Sequence, residues 1–437
     1  MITVLVMSFL LSALGLVEVN TLISNERFNL YNSQSAEALN VAEAGINYYL
    51  WHLAHNSTDY KDGGSTPAAA PYGPYLHDYY DIAGNLLGTY TLWITPPPNG
   101  STVTTVESIG QVPNFAGART ILAQLGQPSF ANYALVDNEQ VWFGTGESSI
   151  GPVLSNVGVH FDGTNNGPVM SANATYTPSA QFGGTGAVEN GVWGLGGPKS
   201  QWQYPVPSVN FAQVTANLSS LQTLATSGGT NLAATNAMGY YLLLNSNGTI
   251  NYYKVTNETN SGITDTLISA NNPAPANGVL FVNDNVWVQG TNWPSRITIV
   301  SAKLPQNAAT NTNINVIGNL TYAAKNGSDA IGLIAQNNVI VSNYAPTNIE
   351  IDGALLSEVG NVWVQSNAPV KNSILFYGAI ACNSIWTWNW TNGVSIVAGY
   401  NTTTTTFDSN LVYAPPPQYP VTGTYSVLNW REQLFDP

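Results

Sequence analysis

The first 55 residues restrict the fold more than any other part of the chain, because they predict one very long helix. Met1 to Val17 carries no charged residue and would reach about 26 Å as a helix, close to the thickness of a bilayer core. From Glu18 to about His55 apolar side chains recur at three- and four-residue intervals, the spacing of an amphipathic helix: they are Leu22, Phe28, Ala38, Leu39, Ala42, Ile46, Tyr49 and Leu53. A helix of about 80 Å suits a filament core better than a compact domain.

The apolar run differs from a secretory signal peptide. Such a peptide has a basic segment before its apolar run and a small-residue cleavage site after it, and neither is visible here. We therefore expect residues 1–17 to remain on the mature protein as a membrane anchor. Residues 18–55 then form an amphipathic half that needs a partner surface, so residues 1–55 make the first domain.

Residues 56–127 predict a loop followed by a small antiparallel sheet. The loop, rich in Gly, Pro, Ala and Tyr, runs to about Ala83. Three strand-like runs follow, Gly88 to Thr95, Thr102 to Gly110 and Ala116 to Leu125, with prolines at 96–98 breaking the first two apart. We expect this sheet to cover the amphipathic half of the helix.

Residues 128–437 predict a parallel β-helix, because short apolar strands recur with a period of about 20–25 residues. One pair is NNVIV (337–341) and GNVWV (360–364), and a second set is IGLIA (331–335), GALLS (353–357) and GAIAC (378–382). A third set is INVIG (314–318), IEIDG (349–353) and ILFYG (374–378). One helix, 208–225, is expected to interrupt the repeats behind an N-cap at Ser208. The fold class is therefore α+β, mainly β.

The charge of the chain excludes nucleic acid as a partner. Ten Lys and Arg face 24 Asp and Glu, for a net charge of −14, so few cations are present to displace counterions from phosphates. Only 8% of residues are charged, far below the roughly 25% of ordinary soluble proteins, which is typical of an extracellular assembly. The single cysteine, Cys382, cannot close a disulfide within the chain.

The apolar N-terminus followed by QSAEALNVAEAGINYYL (34–50) resembles the PilX-like branch of the type IV pilin-like proteins. The strands TYTLWIT, TVESIGQV and ARTILAQL are similar to the short sheet of that family. GPVLSNVGVHFDG, VPSVNFAQVTANLSSLQTLA, the repeats and the closing YAPPPQYP and VLNWRE resemble β-helical ectodomains attached to such pilins. The resemblance covers nearly the whole chain.

The resemblance implies a structural subunit of a surface filament with a methylated N-terminus. Its partners would be copies of itself and the inner-membrane pilus assembly machinery, and no cofactor is implied. The residues expected to pack in the filament core are Ile2, Leu5, Phe9, Leu14, Gly15 and Glu18. Typical pilins carry a glutamate at the fifth mature position, which neutralises the ammonium group of a neighbour. If Met1 is the mature N-terminus, this position is Leu5.

Several tryptophans are predicted on the outside of the β-helix. Strand alternation sends Trp287 and Trp363 outward between inward-pointing valines. In SIWTWNW an extended chain would place three indoles on one outer face, and these are Trp386, Trp388 and Trp390. Such a row could stack surface glycans or pack under the YAPPPQYP segment, and we favour packing.

Three further sets of residues are of types that can carry catalysis, metal binding or glycosylation. Glu350 and Asp352 share a strand face as an acid pair would, but are expected to face solvent and to be inert. His52 and His55 lie one helical turn apart, and a solvated helix end is favoured over a metal site. The glycosylation sequons place possible glycans on Asn56, Asn99, Asn173, Asn217, Asn247, Asn257, Asn319, Asn326, Asn389 and Asn401.

The sequence favours a filament subunit that displays its β-helix for attachment, anchored in the membrane before assembly. A minor pilin at the tip or priming the filament is the first alternative. A membrane-tethered, polysaccharide-processing β-helix enzyme is the second, and clustered acids with a basic residue along one groove would favour it.

Overall fold

The computed structural model describes residues 2–65, 67–98, 100–393, 395–421 and 425–433, with the backbone alone for 213–217. The chain forms two compact units. The first contains residues 1–97, 103–127 and 424–437, and the second contains 98–102 and 128–423. A long helix, a small antiparallel sheet and a large parallel sheet together confirm the predicted α+β class.

The first unit is built on helix α1, Ile2–His55. The predicted continuous helix is confirmed, but its packed face is shorter than its apolar periodicity suggests. Leu22 and Phe28 are exposed, and burial begins only at Ala38. The side chains buried against the sheet are Ala38, Val41, Ala42, Ile46, Tyr49 and Leu53.

The sheet of the first unit has five antiparallel strands in the order β1-β2-β3-β4-β32. They are β1 (Tyr72–Tyr80), β2 (Leu86–Thr95), β3 (Val103–Gln111), β4 (Arg119–Gly126) and β32 (Ser426–Gln433). Alternate residues of β2 and β3 are buried, as expected for a sheet that covers a helix on one face. The three predicted strands are confirmed.

Two strands of this sheet were not predicted. β1 lies within the segment predicted as a loop. It was not predicted as a strand because Gly73 and Pro74 interrupt its run of tyrosines. Its ladder shifts register between Tyr72 and Tyr75, and a proline is tolerated there because β1 is an edge strand. β32 comes from the C-terminal segment and pairs with β4, which corrects the assignment of all of 128–437 to one domain.

Helix and sheet approach each other closely at two glycines. A Cβ on Gly45 would lie 2.3 Å from Ser108 Oγ and 2.8 Å from Tyr90 Cδ2. A Cβ on Gly110 would lie 2.1 Å from the carbonyl oxygen of Ala38. Larger side chains at either position would push α1 off the sheet.

The second unit consists mainly of short strands. Its first group is β5 (Leu135–Asp137), β6 (Gln140–Phe143), β7 (Ser148–Ile150), β8 (Val153–Ser155), β9 (Gly158–Phe161), β10 (Thr164–Asn166), β11 (Val169–Ser171), β12 (Thr175–Tyr176), β13 (Glu189–Asn190), β14 (Val192–Trp193) and β15 (Trp202–Gln203). Three-residue 3-10 helices lie at Phe130–Asn132, Ala180–Phe182 and Lys199–Gln201.

A second group follows helix α2, Ala212–Gly228. It comprises β16 (Thr230–Leu232), β17 (Gly239–Leu244), β18 (Thr249–Thr259), β19 (Gly262–Pro273), β20 (Val279–Val282), β21 (Asn285–Trp293), β22 (Arg296–Ser301), β23 (Ile314–Tyr322), β24 (Ala330–Ala335) and β25 (Val339–Val341). The rest are β26 (Asn348–Ser357), β27 (Val362–Val364), β28 (Val370–Cys382), β29 (Trp386–Thr387), β30 (Asn389–Thr391) and β31 (Ile396–Phe407), before a 3-10 helix at Ser409–Val412.

Most of these strands stack in parallel columns, and their spatial order differs from the chain order. One column runs β16-β20-β22-β24-β26-β28-β5-β8-β11-β15, so β5, the first strand of the unit, stacks on β28, which lies far along the chain. A second column runs β17-β21-β23-β25-β27-β29. Helix α2 then connects β15, at one end of the first column, to β16 at the other.

The repeats give the correct register in most of the stack. Val339 pairs with Val362 and Ile340 with Trp363, as NNVIV and GNVWV predict. Gly353 pairs with Gly378, which likewise confirms the alignment of GALLS with GAIAC. INVIG was placed with the wrong set, because its Asn315 pairs with Ile340 and not with a residue of IEIDG.

Both sides of the first column are apolar. Leu333 belongs to the inner cluster and its neighbour Ile334 to an outer cluster. Helix α2 packs over this outer cluster through Leu218 and Leu221. The helix begins at Ala212 and not after Ser208, because Asn156 exchanges hydrogen bonds with the backbone of Val209 and holds that segment out of the helix.

Candidate assembly interface

The N-terminal half of α1 is an apolar surface that nothing in the described chain covers. Ile2 is 80% exposed, and no residue before Ala38 is buried. The predicted core residues Ile2, Leu5, Phe9, Leu14, Gly15 and Glu18 are therefore all on this surface. Monomeric soluble proteins rarely expose contiguous apolar patches beyond a few hundred Å².

The polar groups of this half are satisfied within the helix itself. Ser8 donates to the Leu5 carbonyl oxygen at 2.9 Å, Ser12 to that of Ser8 at 2.8 Å, and Thr21 to that of Val17 at 2.8 Å. The hydroxyls therefore need no water, which is the condition for a helix in lipid or in an apolar bundle. Gly15 leaves the helix unbroken, and a Cβ there would contact nothing within 4 Å.

In the part of the chain that the structure describes, one helix is long and apolar enough to cross a membrane. This helix is α1, and its most apolar stretch is wholly unburied. A signal sequence near the N-terminus or the buried core helix of a soluble protein would meet the same two criteria.

The two histidines at the end of α1 have separate partners. His52 Nε2 lies 3.1 Å from Asp59 Oδ2, and His55 Nδ1 lies 2.8 Å from the carbonyl oxygen of Trp51. Tyr49 stacks on the His52 ring at 5.4 Å between centroids and donates to the Asp59 carbonyl oxygen. These contacts tie the loop after the helix back to its last turn.

Trp287 points out of the stack, but a hairpin of β18 and β19 covers it. Its outward position follows from its cluster, which contains Tyr241 and Val255 and is separate from the inner core. Its indole Nε1 donates to Glu258 Oε1 at 2.9 Å. The side chain is 2% exposed, so it forms no open apolar surface.

The prediction that Trp386 and Trp388 line an outer face is wrong. Both belong to the inner cluster, and Trp388 is 1% exposed. Trp386 pairs with Val362, an inward position, and Thr387 Oγ1 bonds to the Asn389 backbone, so the segment bends at Trp388. The bend ends the two-residue alternation on which the prediction depended.

Trp363 and Trp390 form a partly exposed pair on the outside. Their rings meet edge to face with centroids 5.9 Å apart, and Trp390 Nε1 donates to the Val364 carbonyl oxygen at 2.7 Å. The YAPPPQYP segment covers a different region, because Tyr419 packs in the outer cluster under α2 and Pro417 accepts a hydrogen bond from Thr298.

Most sequon asparagines are accessible. Asn389 is not free, because its Nδ2 donates to Glu147 Oε1 at 3.3 Å and to the Tyr400 carbonyl oxygen at 3.2 Å. Asn99 and the side chain of Asn217 lie outside the described residues. The exposed ones are Asn56, Asn173, Asn247, Asn257, Asn319, Asn326 and Asn401, and their glycosylation stays a prediction.

Asp352 is buried, which contradicts the expected solvent-facing acid pair. Lys325 Nζ lies 2.8 Å from Glu350 Oε1 and 2.7 Å from Asp352 Oδ1, and Tyr322 N–H donates to Asp352 Oδ2 at 3.0 Å. Burial raises the pKa of Asp352, and Lys325 offsets this only in part. Burial lowers the pKa of Lys325, but its bonds to the two acids prevail and raise it.

Both oxygens of Asp352 are therefore engaged inside the protein, and its carboxylate is fully buried. The arrangement holds the 322–325 turn against the strand at 348–357 and leaves no free carboxylate of Asp352 for a substrate. Sequence reasoning missed Lys325 because it lies 25 residues before Glu350; the repeat period of about 20–25 residues was the signal that could have placed it next to the pair.

Comparison with protein-family models and with curated proteins gives no match. Among solved structures, the chain is similar over 92% of its length to the competence-associated pilin ComZ from Thermus thermophilus, of which it covers 98%. The sequence identity is 12% and the TM-score 0.31. A TM-score below 0.5 does not support a functional assignment, so the function is inferred from the geometry of this chain.

Proposed function

We propose that the chain is a structural subunit of an extracellular type IV pilus-like filament, of the PilX-like branch. In this proposal the apolar halves of α1 bundle in the filament core. The parallel columns form a β-solenoid that is displayed outside and serves in attachment to surfaces. Before assembly, α1 anchors the subunit in the membrane, where the inner-membrane pilus assembly machinery acts on it.

The observation that carries the proposal is the uncovered apolar half of α1. Its large apolar side chains, from Ile2 to Tyr31, stay exposed although the other half of the same helix is packed. Each Å² removed from water contributes about 25 cal/mol, so these side chains strongly favour lipid or a bundle of like helices. Because the hydroxyls of Ser8, Ser12 and Thr21 bond within the helix, neither environment leaves them unpaired.

A minor pilin at the tip or priming the filament is the second candidate. Residues 2–17 contain no carboxylate, so this helix has no acid in that stretch to neutralise the ammonium group of a neighbour. A tip subunit needs no such pairing, since no further subunit is stacked beyond it. Counting subunits by mass spectrometry of sheared filaments separates the two: a major subunit dominates the preparation and a tip subunit is rare.

The test replaces Phe9 by Lys in the producing cell. Phe9 is exposed in the middle of the apolar half, and a lysine at the centre of a membrane helix costs about 2.5–3.5 kcal/mol. We expect the variant to yield no surface filaments by negative-stain microscopy while a urea unfolding curve of the purified chain stays unchanged.

Asn32→Lys is the matched control, because Asn32 lies on the same helix, exposed and beyond the apolar run. It should assemble like the wild type. Filaments of unchanged number and diameter from Phe9→Lys would refute the proposed core, and loss of filaments in both variants would show a general sensitivity of α1 to lysine.

A further inference from the structure

A polar groove of about 610 Å³ runs along the outer side of the second column. Its floor follows the outward positions of successive strands, Trp287, Asn315 and Ile340, which pair from strand to strand. The tip of the β18–β19 hairpin, with Glu258, forms one wall. The volume lies within the roughly 300–1,000 Å³ usual for small-ligand sites.

Amide side chains in this groove have hydrogen-bonding atoms without protein partners. Asn315 is 8% exposed and its Nδ2 donates to the Val286 carbonyl oxygen at 3.3 Å, so its Oδ1 is held in place but accepts no hydrogen bond from the described chain. Asn343 Nδ2 donates to Asn367 Oδ1 at 3.3 Å, and its buried Oδ1 also lacks a partner. Buried polar atoms are normally satisfied, so Asn343 Oδ1, which has no partner among the described residues, points to a ligand.

The Glu258 carboxylate is oriented by the floor and the opposite wall. Its Oε1 accepts from Trp287 Nε1 at 2.9 Å and from the Tyr344 hydroxyl at 2.7 Å. Burial and then Glu258 raise the pKa of Tyr344, so the phenol stays protonated and keeps donating. No described residue donates to Oε2 of Glu258, which can therefore accept a further hydrogen bond.

The charge of the lining restricts the class of ligand. Of the described residues that line the groove, Glu258 is the one carboxylic acid and none is Lys, Arg or His, so an anion finds no countercharge. Amide groups both donate and accept hydrogen bonds, as hydroxyls do. Ile340 and the Tyr344 ring offer apolar surface for C–H groups. This combination fits a neutral, polyhydroxylated ligand.

We propose that this groove binds an uncharged oligosaccharide. The inference rests on the proposed display of the β-solenoid for its biological setting, but binding itself requires only the second unit. It names the ligand class and the site of the attachment role, and it places that site away from the tryptophan row, for which glycan stacking was the less favoured interpretation of the sequence.

The test uses the full chain in a zwitterionic detergent without a sugar headgroup. It is applied to an array of neutral oligosaccharides of three to six residues: β-1,4-glucan, β-1,3-glucan, mannan, galactan and xylan fragments. We expect retention on at least one of them. Asn315→Leu and Gln365→Ala, both in the groove, should each weaken this binding at least tenfold.

Asn315→Leu should leave the unfolding midpoint nearly unchanged, since it loses one long hydrogen bond, from Nδ2 to the Val286 carbonyl oxygen, and adds apolar surface beside Ile340. The matched control is Asn401→Leu, at an exposed strand position that does not line the groove, and it should bind like the wild type. Absence of retention by the wild type, or full binding by Asn315→Leu, would overturn the inference.

The two proposals fail separately. Filaments without glycan retention would refute the groove assignment alone. Glycan retention by a chain that never appears in filaments would refute the filament proposal alone, because the array experiment requires no assembly.

Discussion

Replacing Trp388 by Ala is expected to destabilise the second unit more than any other single tryptophan truncation at the SIWTWNW segment. Trp388 is 1% exposed and packs between Phe376 and Trp386, each with ring centroids 5.9 Å away. A buried tryptophan removes about 150–250 Å² from water, which at about 25 cal/mol per Å² is about 4–6 kcal/mol as an upper bound. Since alanine recovers part of this area, we expect a loss of about 3–5 kcal/mol.

A second substitution separates packing from hydrogen bonding. The indole Nε1 of Trp388 is buried without a hydrogen-bond partner among the described residues, so Trp388→Phe removes an unsatisfied donor along with part of the ring. The two effects oppose each other, and we expect a net change within about 1 kcal/mol. Trp430→Ala is the surface control: Trp430 is 52% exposed on β32, and its loss should stay within about 0.5 kcal/mol.

The assay is equilibrium unfolding in urea, followed by far-UV circular dichroism on the full chain in detergent. The transition of the second unit should move to lower urea for Trp388→Ala and stay nearly fixed for Trp388→Phe. If Trp388→Ala unfolds at the wild-type midpoint, Trp388 does not lie in the inner core. If its stability is intact and glycan binding is lost, the outward placement from strand alternation was correct after all.

Three further predictions concern other parts of the chain. Gly45→Ala should lower the stability of the first unit by about 1–3 kcal/mol because its Cβ would overlap the sheet, whereas Gly15→Ala, with open space around it, should not; thermal unfolding checks both. Burial raises the pKa of Glu147 from 4.5 to about 7, so its folded state binds the proton more tightly. The free energy of unfolding should therefore fall as the pH rises from about 4.5 through 7, by about 2 kcal/mol after allowance for the partial exposure of Glu147. Urea midpoints measured across that range check this, and Glu147→Gln should remove the slope. Asp352→Ala should cost about 1–3 kcal/mol because it strands a buried backbone N–H, against less than about 1 kcal/mol for Glu350→Ala in the same urea titration.

Patterns that repeat over short distances were readable from the sequence. The long helix follows from uninterrupted apolar spacing without proline, and strand registers such as Val339 with Val362 follow from the repeat. In both, each residue's environment is set by neighbours at a fixed offset, so local spacing carries the information. INVIG was misplaced because Ile and Val at alternate positions satisfy two columns equally well, and pairing with Ile340 decides between them.

Side-chain environments set by distant segments could not be read in this way. Strand alternation placed Asp352 away from the core, but it cannot reveal that Lys325 and the Tyr322 N–H close over that position. Trp287 pointed outward as expected, yet the hairpin that covers it supplies Glu258 from 29 residues away. The uncovered helix half could be predicted from the sequence because it depends on composition. The groove could not, because it depends on tertiary pairing.

The insertion of the second unit between β4 and β32 explains why the C-terminal strand escaped prediction. Gly126 and Ser426 are paired in the small sheet. Within the second unit, the Phe130 N–H donates to the Pro420 carbonyl oxygen at 2.9 Å. The two ends of the insertion are therefore also adjacent within that unit. An unfolded insertion would oppose the β4–β32 pairing by about 0.6 kcal/mol for each doubling of loop length. Folding of the second unit removes most of that penalty, because it already holds its own ends together. The closing strand of the small sheet is thus stabilised by the fold of a unit with which its sequence shares no pattern, and no local signal in residues 426–433 could have assigned it there.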